Sequence, residues 1–124
     1  MKIYRPEDAI EVVKDNRTHV FYRIFDEYEM HFNIIPPKSI QEWHRHNRID
    51  EALLVTKGAV LIHGKDPDTG EIETVCLGHN MMVRFENTYH TVENVTEEPA
   101  EFIVVRTVPD GTDKREIIKN DKEL

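Results

Sequence analysis

Two histidines one residue apart, His44 and His46, precede a carboxylate, Glu51, and an apolar run that closes at Gly58 in QEWHRHNRIDEALLVTKG. On an extended strand alternate side chains leave the same face, with Cα atoms about 6.5–7 Å apart. Both imidazoles can therefore reach one ion. After a short turn, a returning strand puts Glu51, Leu53 and Val55 on one face, with Glu51 beside the histidines and Asp50 directed elsewhere. A bare His-x-His is more often a polar pair on a surface strand; the acid and glycine flanking an apolar strand strengthen it. His90 has a comparable setting in MMVRFENTYHTVEN, where an apolar strand enters a turn and returns. Three imidazoles and one carboxylate suit a divalent transition ion, Fe, Mn, Zn, Ni or Cu. One or two coordination positions would stay open for water or substrate.

The elements that must position these residues read as short strands. Segment 18–25 is rich in β-branched and aromatic residues, and 28–35 alternates and ends at Pro36 and Pro37. Further strands are expected at 40–46, 51–56, 60–63, 71–77, 81–85, 88–95 and 101–108, separated by Lys57-Gly58, GKDPDTG, Leu77-Gly78, Glu98-Pro99 and PDG. Segment 6–13 fits a short helix, and 112–124 a helix, an arm on a partner, or a frayed end. No repeat or linker divides residues 1–124, which are read as one domain. Eight or nine antiparallel strands leave a sandwich and a barrel equally open.

The two histidine segments resemble the two motifs of the cupin superfamily, G-x5-H-x-H-x3,4-E-x6-G and G-x5-P-x-G-x2-H-x3-N. His44, His46, Glu51 and Gly58 match the first, with Lys38 in place of its leading glycine. Gly78, His90 and Asn94 match the second if one residue is added after Gly78, with Phe85 for proline and Asn87 for glycine. Asparagine visits positive φ more readily than most residues, so Asn87 is a tolerable substitute. The resemblance covers 28–108 and implies an all-β fold, a double-stranded β-helix or jelly-roll barrel. It implies His44, His46, Glu51 and His90 as metal ligands, Asn94 as a structural residue, and a homodimer.

Other residues are candidates for lining such a barrel. Met30 and Phe32 share a face and are expected inside, which turns His31 outward. Tyr22 and Tyr28 are candidate substrate hydroxyls, although packing is the commoner use of tyrosine. Arg106 shares a face with Phe102 and Val104, and a buried charge there needs a partner: a substrate carboxylate or phosphate, or an acid at the rim. Cys76 is expected in the core and His63 at the surface. Trp43 is expected to face outward as an interface residue, or to cap the core.

The formal charge of −8, with scattered basic residues, argues against a phosphate-backbone partner. No apolar run approaches the roughly 20 residues of a spanning helix, and the start MKIYRPEDAI lacks an apolar signal-type segment. With a single cysteine, the cytoplasm is the expected location. These features imply a metal-dependent enzyme for a small polar, carbohydrate-like molecule by isomerase or lyase chemistry. A small-molecule dioxygenase and a noncatalytic ligand-binding or sensor protein are the alternatives.

Overall fold

In the computed structural model, residues 1–109 are described. They form two antiparallel sheets facing each other. The first has six strands in the order β1 (Ile10–Val13), β2 (His19–Ile24), β3 (Tyr28–Ile35), β10 (Ala100–Thr107), β5 (Asp50–Lys57) and β8 (Met82–Arg84). The second has four, in the order β4 (Ser39–Ile40), β9 (Tyr89–Asn94), β6 (Val60–Lys65) and β7 (Ile72–Leu77). The expected N-terminal helix is only a 3-10 turn, Pro6–Asp8, followed by β1. Ile10, Val12 and Val13 are β-branched and pair with β2 instead. The expected helix or arm at 112–124 lies outside the described residues.

The turn residues decide how strands return. Gly58 has φ +76 between β5 and β6, and a Cβ there would sit 3.3 Å from Ala100 and the Pro99 carbonyl. Glu86 and Asn87 both have positive φ, 50 and 65, and the Thr88 amide donates to the Phe85 carbonyl. These two left-handed residues make a tight turn that carries the chain from β8 in the larger sheet to β9 in the smaller one, and so to His90. Lys38, at the leading glycine position of the first motif, also has positive φ, 53.

Register stacks the inner face of the larger sheet in four rows. Ile35 and Ala100 pair in the deepest, and Val20, Asn33, Phe102 and Val55 form the row above it, all buried. Tyr22, His31, Val104, Leu53 and Val83 form the next. Glu29, Arg106 and Glu51 lie side by side on β3, β10 and β5 at the rim. Ile62, Val92 and Leu77 close the core from the other sheet. Burying each large aliphatic or aromatic side chain contributes about 1.5–3 kcal/mol.

Other expectations fail in the strands. Met30 is exposed and Phe32 half-buried, because they lie on the outer face of β3 and His31, Asn33 and Ile35 on the buried one. Pairing decides this: Phe32 sits between Phe21 and Ile103 on the outer face, whereas His31 sits between Tyr22 and Val104. Cys76 is exposed, on the edge strand β7, of which only Leu77 is buried. The strand at 40–46 shrinks to Ser39–Ile40, followed by an isolated bridge between His44 and His90. From the pair Ile40–Glu93 to the pair His44–His90 one strand advances four residues and the other three, so the first is bulged.

Candidate metal centre

The bulge is what aims the first histidine. Reciprocal backbone hydrogen bonds of 2.9 and 2.8 Å lock His44 to His90, and their rings lie 4.5 Å apart. Glu51, at the start of β5, comes in from the other sheet. One donor atom each from His44, Glu51 and His90 lies within 4.8 Å of the others. Glu51 and His90 are buried, at 5% and 2% exposure, and His44 is half-buried.

Hydrogen bonds fix which ring nitrogen faces the centre. His90 Nδ1 donates to the Thr88 carbonyl at 2.7 Å, and His44 Nδ1 to the Glu42 carbonyl at 3.1 Å. Each Nε2 is thereby left with a lone pair. His90 Nε2 faces Glu51 Oε1 at 3.4 Å, so two acceptors confront each other. Either a second proton on His90 or a cation must lie between them. His46 Nε2 is buried without a hydrogen-bond partner and lies 3.3 Å from Glu51 Oε2. Burial lowers the pKa of His46, with Glu51 pulling the other way. Burial alone would raise the Glu51 carboxyl, but a hydrogen bond from His90, when it carries the second proton, and the charge of Arg106 outweigh it and bring it to about 2. Imidazole nitrogens turned toward a buried carboxylate, with His46 Nε2 orphaned, fit a divalent transition ion.

Second contacts hold the set in place. Phe85, where the motif has proline, stacks flat on His90 with ring centres 3.6 Å apart. Arg106 Nε donates to Glu51 Oε2, and its Nη1 lies 3.7 Å from Glu29 Oε1. The charge on the Phe102–Val104 face therefore has its acid partners at the rim.

The cluster opens on a cavity of about 600 Å³ between the sheets. Its wall includes Tyr22 and Arg106, as expected. Tyr28 is exposed and does not line it; it lies on the outer face and packs on Phe25 with ring centres 5.0 Å apart. Asp50 turns away and binds Arg84 at 2.9 Å. Trp43 faces outward as expected, stacked on Tyr89. His63 beside it bonds Thr74 and Glu93 at 2.7 and 2.9 Å. Asn94 is fully buried and donates to the carbonyls of Ile35, Pro36 and Glu98, a structural role.

Among the cavity residues that escaped the sequence reading are His31 and Asn33 on β3. The Asn33 amide donates to His31 Nδ1 at 3.4 Å, leaving the proton on a buried Nε2 that has no hydrogen-bond partner. Glu29 Oε1, at 3.7 Å, is the nearest carboxylate oxygen. The detectable signal was a pair of polar residues two apart on one face of an otherwise apolar strand.

The overall architecture matches solved structures closely. A Bacillus subtilis oxalate decarboxylase superposes with a TM-score of 0.72 over 85% of this chain, at 18% identity. A predicted oxalate decarboxylase from Thermotoga maritima matches with a TM-score of 0.73 over 87% of this chain and all of that one, at 15% identity. The chain has the cupin fold. The cupin barrel is also shared with Drosophila melanogaster CENP-C, solved bound to CAL1, at a TM-score of 0.74 and 12% identity over 83% of this chain and 85% of that one. The chain spans only 29% of the Bacillus enzyme's length. No protein-family model matches the sequence, and no curated protein does. At such identities the likeness speaks for fold, and chemistry must be argued from the site.

Proposed function

We propose that the chain is a metal-dependent enzyme that acts on a small polar acid by lyase-type chemistry, the decarboxylase kind named for several structural relatives. The observation that carries this is the confrontation of His90 Nε2 with Glu51 Oε1 at 3.4 Å, at the wall of a cavity that also holds Arg106. In this reading His44, His46, Glu51 and His90 hold the ion. A bound divalent ion supplies Lewis-acid polarisation of a carboxylate or carbonyl oxygen. Arg106 binds and orients an acid group. Arg106 favours an acid over the carbohydrate-like alternative: its Nε is held by Glu51, and the guanidinium N–H groups left free are charged donors suited to a carboxylate.

The test is elemental analysis of protein purified without added metal, followed by carboxylic acids assayed for carbon dioxide release and oxygen uptake. Carbon dioxide release without net oxygen consumption supports the lyase reading. Net oxygen consumption moves the assignment to a dioxygenase. Saturable acid binding without turnover moves it to a noncatalytic binding protein, for which CENP-C is a fold precedent described as bound to another protein.

The working unit in this reading is a homodimer. Phe21, Phe32, Ile103, Leu54 and Met82 form one apolar row across the outer face of the larger sheet, which a second copy would cover. The formal charge of −8 disfavours nucleic acid, and the single cysteine favours the cytoplasm. Among the described residues no helix is long and apolar enough to cross a membrane.

A further inference from the structure

His31 and Asn33 line the cavity from β3, two residues apart on its buried face. The Asn33 amide nitrogen lies 3.4 Å from His31 Nδ1 and 3.3 Å from the His31 carbonyl. A carbonyl only accepts, so the nitrogen of the amide, not its oxygen, is turned this way. Nδ1 therefore meets a donor and carries the lone pair. Burial, then the charge of Arg106, keeps the imidazole neutral until about 4. Its one ring proton sits on Nε2. Tyr22 packs against the ring with centres 4.7 Å apart.

This N–H is buried without a hydrogen-bond partner among the described residues, an arrangement that costs free energy. A carboxylate oxygen, Glu29 Oε1, stands 3.7 Å from it, and the same oxygen stands 3.7 Å from Arg106 Nη1. Both distances exceed a hydrogen bond. Two donors on neighbouring strands, one neutral and one charged, thus flank a single carboxylate without engaging it. Glu51 leaves this place free, since it takes Arg106 by Nε. The two sides differ in freedom to move: His31 is 4% exposed, whereas Glu29 is partly exposed at the rim.

We propose that His31 is a ligand-binding residue: its Nε2–H and Arg106 Nη1 together receive the carboxylate of the ligand, in the place beside which Glu29 now stands. Glu29 is a stand-in for that carboxylate and turns out to solvent when the ligand arrives. This rests on the acid-binding part of the function proposed above, to which it adds a neutral donor and a built-in competitor.

Malonate titrated calorimetrically into zinc-loaded and metal-free protein tests it. His31→Phe keeps a ring beside Tyr22 and loses the donor, whereas His31→Gln keeps an N–H near the place of Nε2. His31→Phe is expected to bind about tenfold more weakly, His31→Gln within about threefold of the native chain, and Glu29→Gln about threefold more tightly. His31→Phe should also unfold at the same or higher urea concentration, because it removes a donor that has no partner. Lost stability with unchanged affinity marks a residue that only supports the fold, and overturns the proposal. Native affinity in His31→Phe alongside a loss in Arg106→Gln also overturns it, and leaves the acid-binding reading standing. Malonate bound by neither the native chain nor Glu29→Gln overturns both. Should His31→Phe fail to fold, heteronuclear NMR of the native histidine rings decides, with His31 assigned by its loss in His31→Gln. Its Nε2 resonance is expected to shift as malonate is added, and an unmoved resonance overturns the proposal.

Discussion

His90 Nε2 and Glu51 Oε1 face each other at 3.4 Å while His90 Nδ1 is committed to the Thr88 carbonyl. Without an ion, His90 can satisfy Glu51 only by taking a second proton, so metal uptake releases protons and weakens as pH falls. Calorimetry of zinc binding in two buffers of different ionisation enthalpy should show that release. His90→Ala and Glu51→Gln should each lower affinity at least a hundredfold in chelator competition. Unchanged stoichiometry in His90→Ala would sink the four-ligand centre.

Arg106 donates to Glu51 and is the carboxylate's nearest positive charge. Glu51 is 5% exposed, so removing one partner of this pair leaves a buried charge, a loss of about 3–5 kcal/mol. Arg106→Gln is expected to lose about 3 kcal/mol in urea unfolding of metal-free protein and clearly less when zinc is present. Carboxylate affinity should fall at least tenfold. Equal stability losses with and without zinc would show that no cation replaces the guanidinium.

Burial, then the charge of Arg106, holds His31 at about 4 against 6.5 for a free imidazole. As pH falls through 6.5 the unfolded chain takes up a proton that the folded chain refuses until about 4. Stability is lost across that window, by up to about 3 kcal/mol. Glu51 acts lower: its depressed carboxyl stabilises above 4.5, and that contribution drains away toward about 2. Urea unfolding at about pH 7.5 and 4.5 should therefore show a loss in the native chain that His31→Gln reduces by about 2 kcal/mol. Parallel losses in both proteins would mean that folded His31 is charged at the lower pH.

Leu54 and Ile103 pair at the middle of the outer apolar row. Leu54→Glu should convert a dimer to monomer in light scattering after gel filtration, with far-UV circular dichroism unchanged. A native chain that is already monomeric at tens of micromolar leaves the row without its expected cover.

Strand positions were largely legible because period-two alternation and Gly/Pro punctuation are local signals. Tyr28–Ile35 occupies the expected segment from end to end, and Asn87 has the positive φ that its place in the motif demands. Facing was not legible for the same strand. Its more apolar side, Met30 and Phe32, turned outward, since alternation says which residues share a side but not which side meets the second sheet. Tyr28 went outward with them, and His31 went in.

By itself the sequence determined the residue types that can hold an ion and their spacing: His44, His46, Glu51 and His90 stand at intervals that return strands can bring together. It also determined the all-β character and the turns, since these depend on neighbours a few residues away. Tertiary structure alone decided that Arg106 rests on Glu51, that His44 is bridged to His90 across a bulge, and that His31 and Asn33 enter the cavity. Each of these is a pairing between strands distant in the chain, set by register and by which sheet face is covered.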